Sequence, residues 1–445
     1  MALNTLQELV TFFKDSGAVK ILYKQLVDND NSKQQIYFGS GFSVLTEIPY
    51  GPVKSVKKGK TASFQARLNF SWINTTKEIS PAPHTKLILY PKYPEVRLSG
   101  FLKNCPGSPN QYMRPKPKEL RGEKNKPDGR VLFLGIKPDG HILAFLAGKD
   151  SAISNNIILD PPDSTPAGGI FRLVVWKKHG KTSKDILMTK LSEIHSTGWH
   201  KSCRLDSKGE FMEYTARNGG GYTLEALLGI APNGIAAPDF LDWELKAFTS
   251  GRLTLMTPEP DLGFYKEKGV QAFTLKYGHD KAGYVKYFTG THKCNERNKT
   301  TDLELVLSGY DPERKKITDV EGGILLLDTD GQITAGWSFS RLIEHWGKKH
   351  SNVCYVHYEK DDSKKTVQYR YESPVWFGCG TDFALFLQAT HDKKIFFDPG
   401  SHIKKQANGK TTHKARSQFR IAFKDLPCLY NSWTESVLNS PPTLP

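Results

Sequence analysis

The sequence predicts two unlike halves, a β-rich α+β region over residues 1–182 and an α/β region over residues 183–445. Three observations lead there. Apolar runs with extended patterning follow one another through the first half. Helical and strand periodicities alternate in the second. The charge divides at the same place: residues 1–182 hold 27 Lys and Arg against 14 Asp and Glu, a net +13, whereas residues 183–445 hold 35 against 32, a net +3. A chain of 445 residues is long enough to bury two cores. No apolar run approaches the eighteen residues that a membrane span needs, so no membrane association is expected.

In chain order, "MALNTLQELVTFF" places Leu3, Leu6, Leu9, Val10 and Phe13 at helical spacing and lacks the basic start and small-residue cleavage site of a signal peptide. Extended segments follow at "QQIYFGSGFSVL", "ASFQARLNFSWI", "TKLILYPKYPEVRLSGFL" and "IFRLVVWKK". A hairpin is expected at "RVLFLGIKPDGHILAFLAG", with Pro138, Asp139 and Gly140 in the turn. Residues 104–130, rich in Pro, Gly and Lys, read as an exposed loop, either a phosphate-contacting arm or a loop that touches nothing. Residues 160–169 form a second loop and residues 178–185 the linker, which sets the boundary near 182. Beyond it "SKDILMTKLSEIHS" is helical, with Ser183 as N-cap, and "TGWHKSCRL" turns into a strand.

The net charge of +16 favours polyanionic partners such as nucleic acid. The six cysteines, Cys105, Cys203, Cys294, Cys354, Cys379 and Cys428, include no CxxC pair, which suits a reducing cytoplasm better than a disulfide scaffold or a zinc ribbon.

Chemistry concentrates in "GGGYTLEALLGIAPNGIAAPDFLDWELKAF", residues 219–248. Thr223 is expected to cap a short helix that carries Glu225 and ends at Gly229. Residues 231–238 form a turn, and Asp239 follows Pro238. "DWELKAF" reads as a strand, so Glu244 and Lys246 share one face while Trp243, Leu245 and Ala247 share the other. Paired carboxylates repel unless a cation sits between them, and a divalent metal with oxygen ligands is the usual answer. A lysine beside them fits phosphodiester hydrolysis, in which a metal polarises the phosphoryl oxygen and activates water while a cation orients that water or meets the developing charge. A second strand, "GRLTLMT", follows directly. Other features carry less. His345 and His350 are five residues apart, poor spacing for one metal on a helix, and "DTDGQITAGW" is a hairpin turn rather than a calcium loop. "NGGG" lacks the GK[ST] of a phosphate loop.

The run "GWH", "GGGYTLEALLGI", "APDFLDWELKA" and "SGRLTLMT", with "GWSFSRLIEHWGKKHSNVCYV" and "GKTTHKARSQFRIAF" further on, resembles the MvaI/BcnI-type restriction endonucleases, which are related to the mismatch-repair nickase MutH. The resemblance spans about residues 184–430. It implies a PD-(D/E)xK nuclease core, a central mixed sheet flanked by helices, behind a separate basic N-terminal DNA-binding or effector domain. It implies a type II, metal-dependent, sequence-specific endonuclease that nicks one strand of duplex DNA at a time. Glu225, Asp239, Glu244 and Lys246 match the family's catalytic residues, with Asp239, Glu244 and the Leu245 carbonyl as ligands for Mg2+. The C-terminal loop, with His402, His413, Arg416 and Arg420, matches the DNA-reading segment. Around "IFFDPG" the chain departs from the family, so the loop's role carries over but no target sequence does. Double-stranded DNA is the implied partner, the implied state is a monomer, and a cognate DNA methyltransferase belongs to such a system. The alternatives are a MutH-like strand nickase and a DNA-binding protein with an idle nuclease site.

Overall fold

The computed structural model describes residues 2–438 except 33, 60, 124–125, 163, 175–181, 217, 232–238, 242, 250, 348–351 and 407. Half of the expected linker, residues 232–238 of the turn before Asp239 with Pro238, and His350 therefore lie outside the described residues. Among those described, no helix is long and apolar enough to cross a membrane, and all six cysteines are free.

The N-terminal region is β-rich and layered. The first helix, Leu6–Asp15, starts where Thr5 accepts from the Glu8 amide and Glu8 reaches back to the Thr5 amide, a capping box. With a second helix, Ala152–Leu159, it covers one face of a seven-stranded sheet through Leu9, Phe13, Phe133, Phe145 and Ile157. The expected hairpin lies in that sheet as Pro127–Ile136 and His141–Ala147, closed by the Gly140 amide on the Lys137 carbonyl with Gly140 at φ 80°. A five-stranded sheet packs on the other face.

Three expectations change here. "ASFQARLNFSWI" is not one strand but two, Thr61–Arg67 and Asn69–Ile73, and they enter different sheets. Lys20–Val27 and Val53–Lys58 are strands that the alternation of apolar residues did not announce, because the first is buried on both faces and the second is lysine-rich. Residues 104–130 are not a free arm: Asp28 takes Lys116 at 2.5 Å and the Gly122 amide at 2.7 Å, and Arg130 is buried against Asp128 and the Val27, Asp30 and Tyr112 carbonyls.

Beyond residue 182 the Ser183–Thr197 helix is capped by Thr182, not Ser183, because only Thr182 has an acid, Asp185, at the third helical position to complete a capping box. This helix and Gly219–Leu227 lie on a mixed sheet ordered Trp199–Lys201, Gln368–Cys379, Asn352–Asp361, Glu244–Phe248, with Ser432–Ser436 also paired to Gln368–Cys379. Only the Glu244–Phe248 and Asn352–Asp361 pair is parallel. The strand Arg252–Met256 forms as expected, but in another sheet, paired with Phe419–Ala422. Asp328 closes the "DTDGQ" hairpin by accepting the Asp330 and Gln332 amides.

No strand of the two N-terminal sheets comes from beyond residue 174, yet the apolar core is shared. Val44, Leu45, Ile48 and Val53 lie in one cluster with Leu342, Ile343 and Trp346. Tyr50 Oη donates to the Ile343 carbonyl at 3.1 Å, and the Asp382 carboxylate accepts the Phe42 amide at 2.5 Å.

Candidate active site

The strand Glu244–Phe248 is a sheet edge whose two faces have opposite chemistry. Trp243 and Leu245 are buried with Leu187, Leu191, Leu224, Cys354 and Val356. Alternation then turns Glu244 and Lys246 to the other face, as the sequence requires. There Lys246 Nζ donates to Glu244 Oε1 at 3.1 Å, with side chains 18% and 14% exposed. A pair this shaded keeps more of its Coulomb attraction than a surface pair does.

Asp239 is brought beside them by a tight reversal. Phe240 and Trp243 exchange both backbone hydrogen bonds at 2.9 Å, and Leu241 takes φ 55° in the turn between them. The chain thus folds back on the strand it is about to enter, and Asp239 Oδ2 accepts the Leu245 amide at 2.9 Å. Asp239 thus stands at the Leu245 peptide, with Glu244 and Lys246 on either side of Leu245 in the chain.

Glu225 sits half-buried on Gly219–Leu227, which packs against the Glu244–Phe248 strand. The helix begins four residues before the expected cap. Thr223 is inside it, where its hydroxyl accepts the Cys203 amide and donates to the Cys203 carbonyl. The early start depends on glycine. A Cβ on Gly219 would lie 2.5 Å from Tyr369 Oη, one on Gly220 2.2 Å from the Tyr358 ring, and Tyr371 Oη donates to the Gly220 carbonyl at 2.7 Å. "NGGG" is therefore a seat for the helix on the sheet, a role that sequence inspection missed.

Two buried tyrosines that the sequence did not mark lie near Glu244. Tyr355 and Tyr430 share a 2.6 Å hydrogen bond, and burial raises both hydroxyls well above the usual tyrosine range, with the Glu244 charge adding to it. Among the described residues no three His, Cys, Asp or Glu side chains come together as a metal cluster. Two carboxylates and a carbonyl nevertheless suit a hard cation such as Mg2+, which takes one or two protein carboxylates and completes its shell with water and substrate phosphate.

The C-terminal loop separates the four expected DNA-contacting residues. His402 lies on Gly400–Lys405, stacked on Tyr287 with ring centroids 5.7 Å apart and planes at 9°. Its cross-strand partners Tyr287 and Lys414 share its face. His413 is opposite Ile403 and so belongs to the other face, exposed at the hairpin edge. Arg416 is exposed, its stem lying across Gly400, where a Cβ would meet its Cδ at 2.8 Å. Arg420 is committed inside the protein: its guanidinium donates to Asp398 Oδ2 at 2.7 Å and to the Arg252 carbonyl at 2.8 Å. Asp398 stands in "IFFDPG", the segment at which the chain departs from the expected pattern.

Compared with known families, residues 188–430 match the MvaI/BcnI restriction endonuclease family. The chain belongs to that family. It is accordingly a type II site-specific deoxyribonuclease, and MvaI/BcnI enzymes generally use divalent metal ions. Solved structures similar to this MvaI/BcnI family member include the restriction endonuclease MvaI in a cognate DNA substrate complex, 18% identical with a TM-score of 0.44 over 57% of this chain and 97% of that one. Another is MvaI in the absence of DNA, 15% identical with a TM-score of 0.33 over 59% of this chain and 100% of that one. No curated protein matches the chain.

Proposed function

We propose that the enzyme hydrolyses phosphodiesters of duplex DNA at a specific sequence with Mg2+, nicking one strand at a time. The observation that carries this is the gathering of Asp239, Glu244 and Lys246 on one shaded edge, with Asp239 bonded to the peptide between the other two. Asp239, Glu244 and the Leu245 carbonyl would hold the ion. The chemistry a bound Mg2+ would supply is polarisation of the phosphoryl oxygen and a lowered pKa for the attacking water. Lys246 orients that water or meets the charge developing on the phosphate, and Glu225 supports the site from its helix. His402, His413 and Arg416 contact the DNA, and Arg420 sets the base of their loop through Asp398.

The described residues offer one such site, so a monomer must reorient to cut the second strand, and nicked circles precede linear product. Residues 1–182, with a net charge of +13, serve as a DNA-binding or effector domain docked on residues 183–445. Six free thiols suit a cytoplasmic enzyme, and a cognate DNA methyltransferase accompanies it.

The test is a time course on supercoiled plasmid with Mg2+, with and without chelator, followed by mapping of the ends. Nicking at one site, dependent on the ion, is expected. Cleavage that survives chelation, or linear product without a nicked precursor, contradicts the mechanism. Nicking that requires a further repair protein would favour the MutH-like alternative.

A further inference from the structure

The five-stranded sheet of the N-terminal region has one face in the core and one basic face that the nuclease chemistry does not use. Phe64, Ala66, Leu87 and Leu89 point inward. On the other face the register pairs Lys54 with Gln65 and Arg67 with Lys86, and Gln65 and Arg97 both lie opposite Ile88, so these cations come from four neighbouring strands and share one surface. With strands about 4.8 Å apart, that surface is roughly 15 Å wide. Its charge is largely uncompensated. Arg97 is paired with Glu95 at 3.0 Å, but Lys86 is held by the neutral Gln65 at 2.8 Å. Lys54 and Arg67 are exposed and have no carboxylate partner among the described residues. Lys57, on the opposite face of the same edge strand, is instead paired with Asp319 of the C-terminal part.

We infer that this face, centred on Lys54, Arg67 and Lys86, docks on the phosphate backbone of duplex DNA as a second grip beside the nuclease site. The inference rests on the proposal that residues 1–182 bind DNA, and it commits that binding to one of the region's faces. Charge complementarity selects the occupant, because a broad cationic sheet face suits a polyanion contacted through its backbone rather than its base edges.

The experiment measures binding of the full chain to a random-sequence duplex across a salt series, without divalent ions. Each lost phosphate contact lowers the slope of log affinity against log salt by about 0.9. The Lys54→Ala, Arg67→Ala double variant is expected to lose close to two such contacts. A Lys77→Ala, Lys149→Ala variant, which removes two exposed lysines outside this sheet, keeps the wild-type slope. Lys54→Gln with Arg67→Gln, which keeps polar side chains and removes the charges, should reproduce the first result at an unchanged melting temperature. Equal loss from both pairs of positions would overturn the face while leaving residues 1–182 as a diffuse DNA binder. No loss from either would overturn the face and DNA binding by this region together.

Discussion

Asp239 accepts the Leu245 amide at 2.9 Å and so stands beside the peptide that joins Glu244 to Leu245, one residue before Lys246. Asp239→Asn keeps an oxygen to accept that bond and removes the negative charge. Its cleavage rate is expected to fall by about 10² or more, since stabilisation by a bound metal amounts to several kcal/mol, while its melting temperature stays near wild type. Plasmid cleavage and calorimetry separate the two effects. An Asn variant that cuts at the wild-type rate removes Asp239 from the mechanism.

Lys246→Ala removes the only ammonium hydrogen-bonded to Glu244 among the described residues. Loss of one preorganised charge-stabilising group is expected to slow cleavage about 10²- to 10³-fold. Binding of duplex without divalent ions should change little. A comparable loss in binding would mean that Lys246 grips DNA rather than assisting hydrolysis.

Gly220→Ala tests the seat of the Glu225 helix. Its Cβ would come within 2.2 Å of the Tyr358 ring, too close without movement of helix or ring. Overpacking of this kind costs about 1–3 kcal/mol, and displacement of the helix should lower cleavage as well. Tyr358→Ala in the same chain should return part of both losses. If Gly220→Ala melts and cuts like wild type, the close helix–sheet contact does not hold Glu225.

Arg416 and Arg420 both belong to the loop proposed to read DNA, yet they should fail differently. Arg416→Ala is expected to lose about 1–3 kcal/mol of discrimination at a particular base pair at an unchanged melting temperature. Arg420→Ala leaves the Asp398 carboxylate and the Arg252 carbonyl without their donor, so stability falls by about 1–3 kcal/mol and all sequences are cut less well. Cleavage of a library of variant sites, alongside thermal melts, distinguishes these outcomes. Selective loss of one base preference in Arg420→Ala would show that it leaves Asp398 to read DNA.

His292 makes folding pH-dependent. It is fully buried, its Nδ1 lies 3.0 Å from the Gly290 carbonyl and its Nε2 2.8 Å from Thr301 Oγ1, so a neutral ring donates from Nδ1 and accepts at Nε2. Burial lowers its pKa from 6.5 to about 4. The unfolded chain therefore takes up this proton first as pH falls. Stability from this group is complete above pH 6.5 and is lost between there and pH 4, by roughly 3 kcal/mol in total. Melts from pH 7 to pH 4 should show a steeper decline for wild type than for His292→Gln. Parallel curves would assign the acid sensitivity to other groups.

Local chemistry alone determined a good deal of this protein. Period-two alternation turned Glu244 and Lys246 to one face and Trp243 and Leu245 to the other, and a Pro-Asp-Gly turn between apolar runs made the 130–148 hairpin. These signals survive because each depends on neighbours in the chain. What the tertiary structure decided depends on distant partners. Thr223 leaves its expected cap because two tyrosine-bearing strands admit a glycine-started helix, and the Arg420 guanidinium is held by Asp398, 22 residues away. "ASFQARLNFSWI" splits between two sheets because Thr61–Arg67 pairs with Lys86–Tyr90 and Asn69–Ile73 with His141–Ala147, strands far off in the chain. Neither the basic sheet face nor the core shared between residues 44–53 and 342–346 has a local signature. Cross-strand register and long-range packing set both, and burial rewards these only after the chain has closed over hundreds of residues.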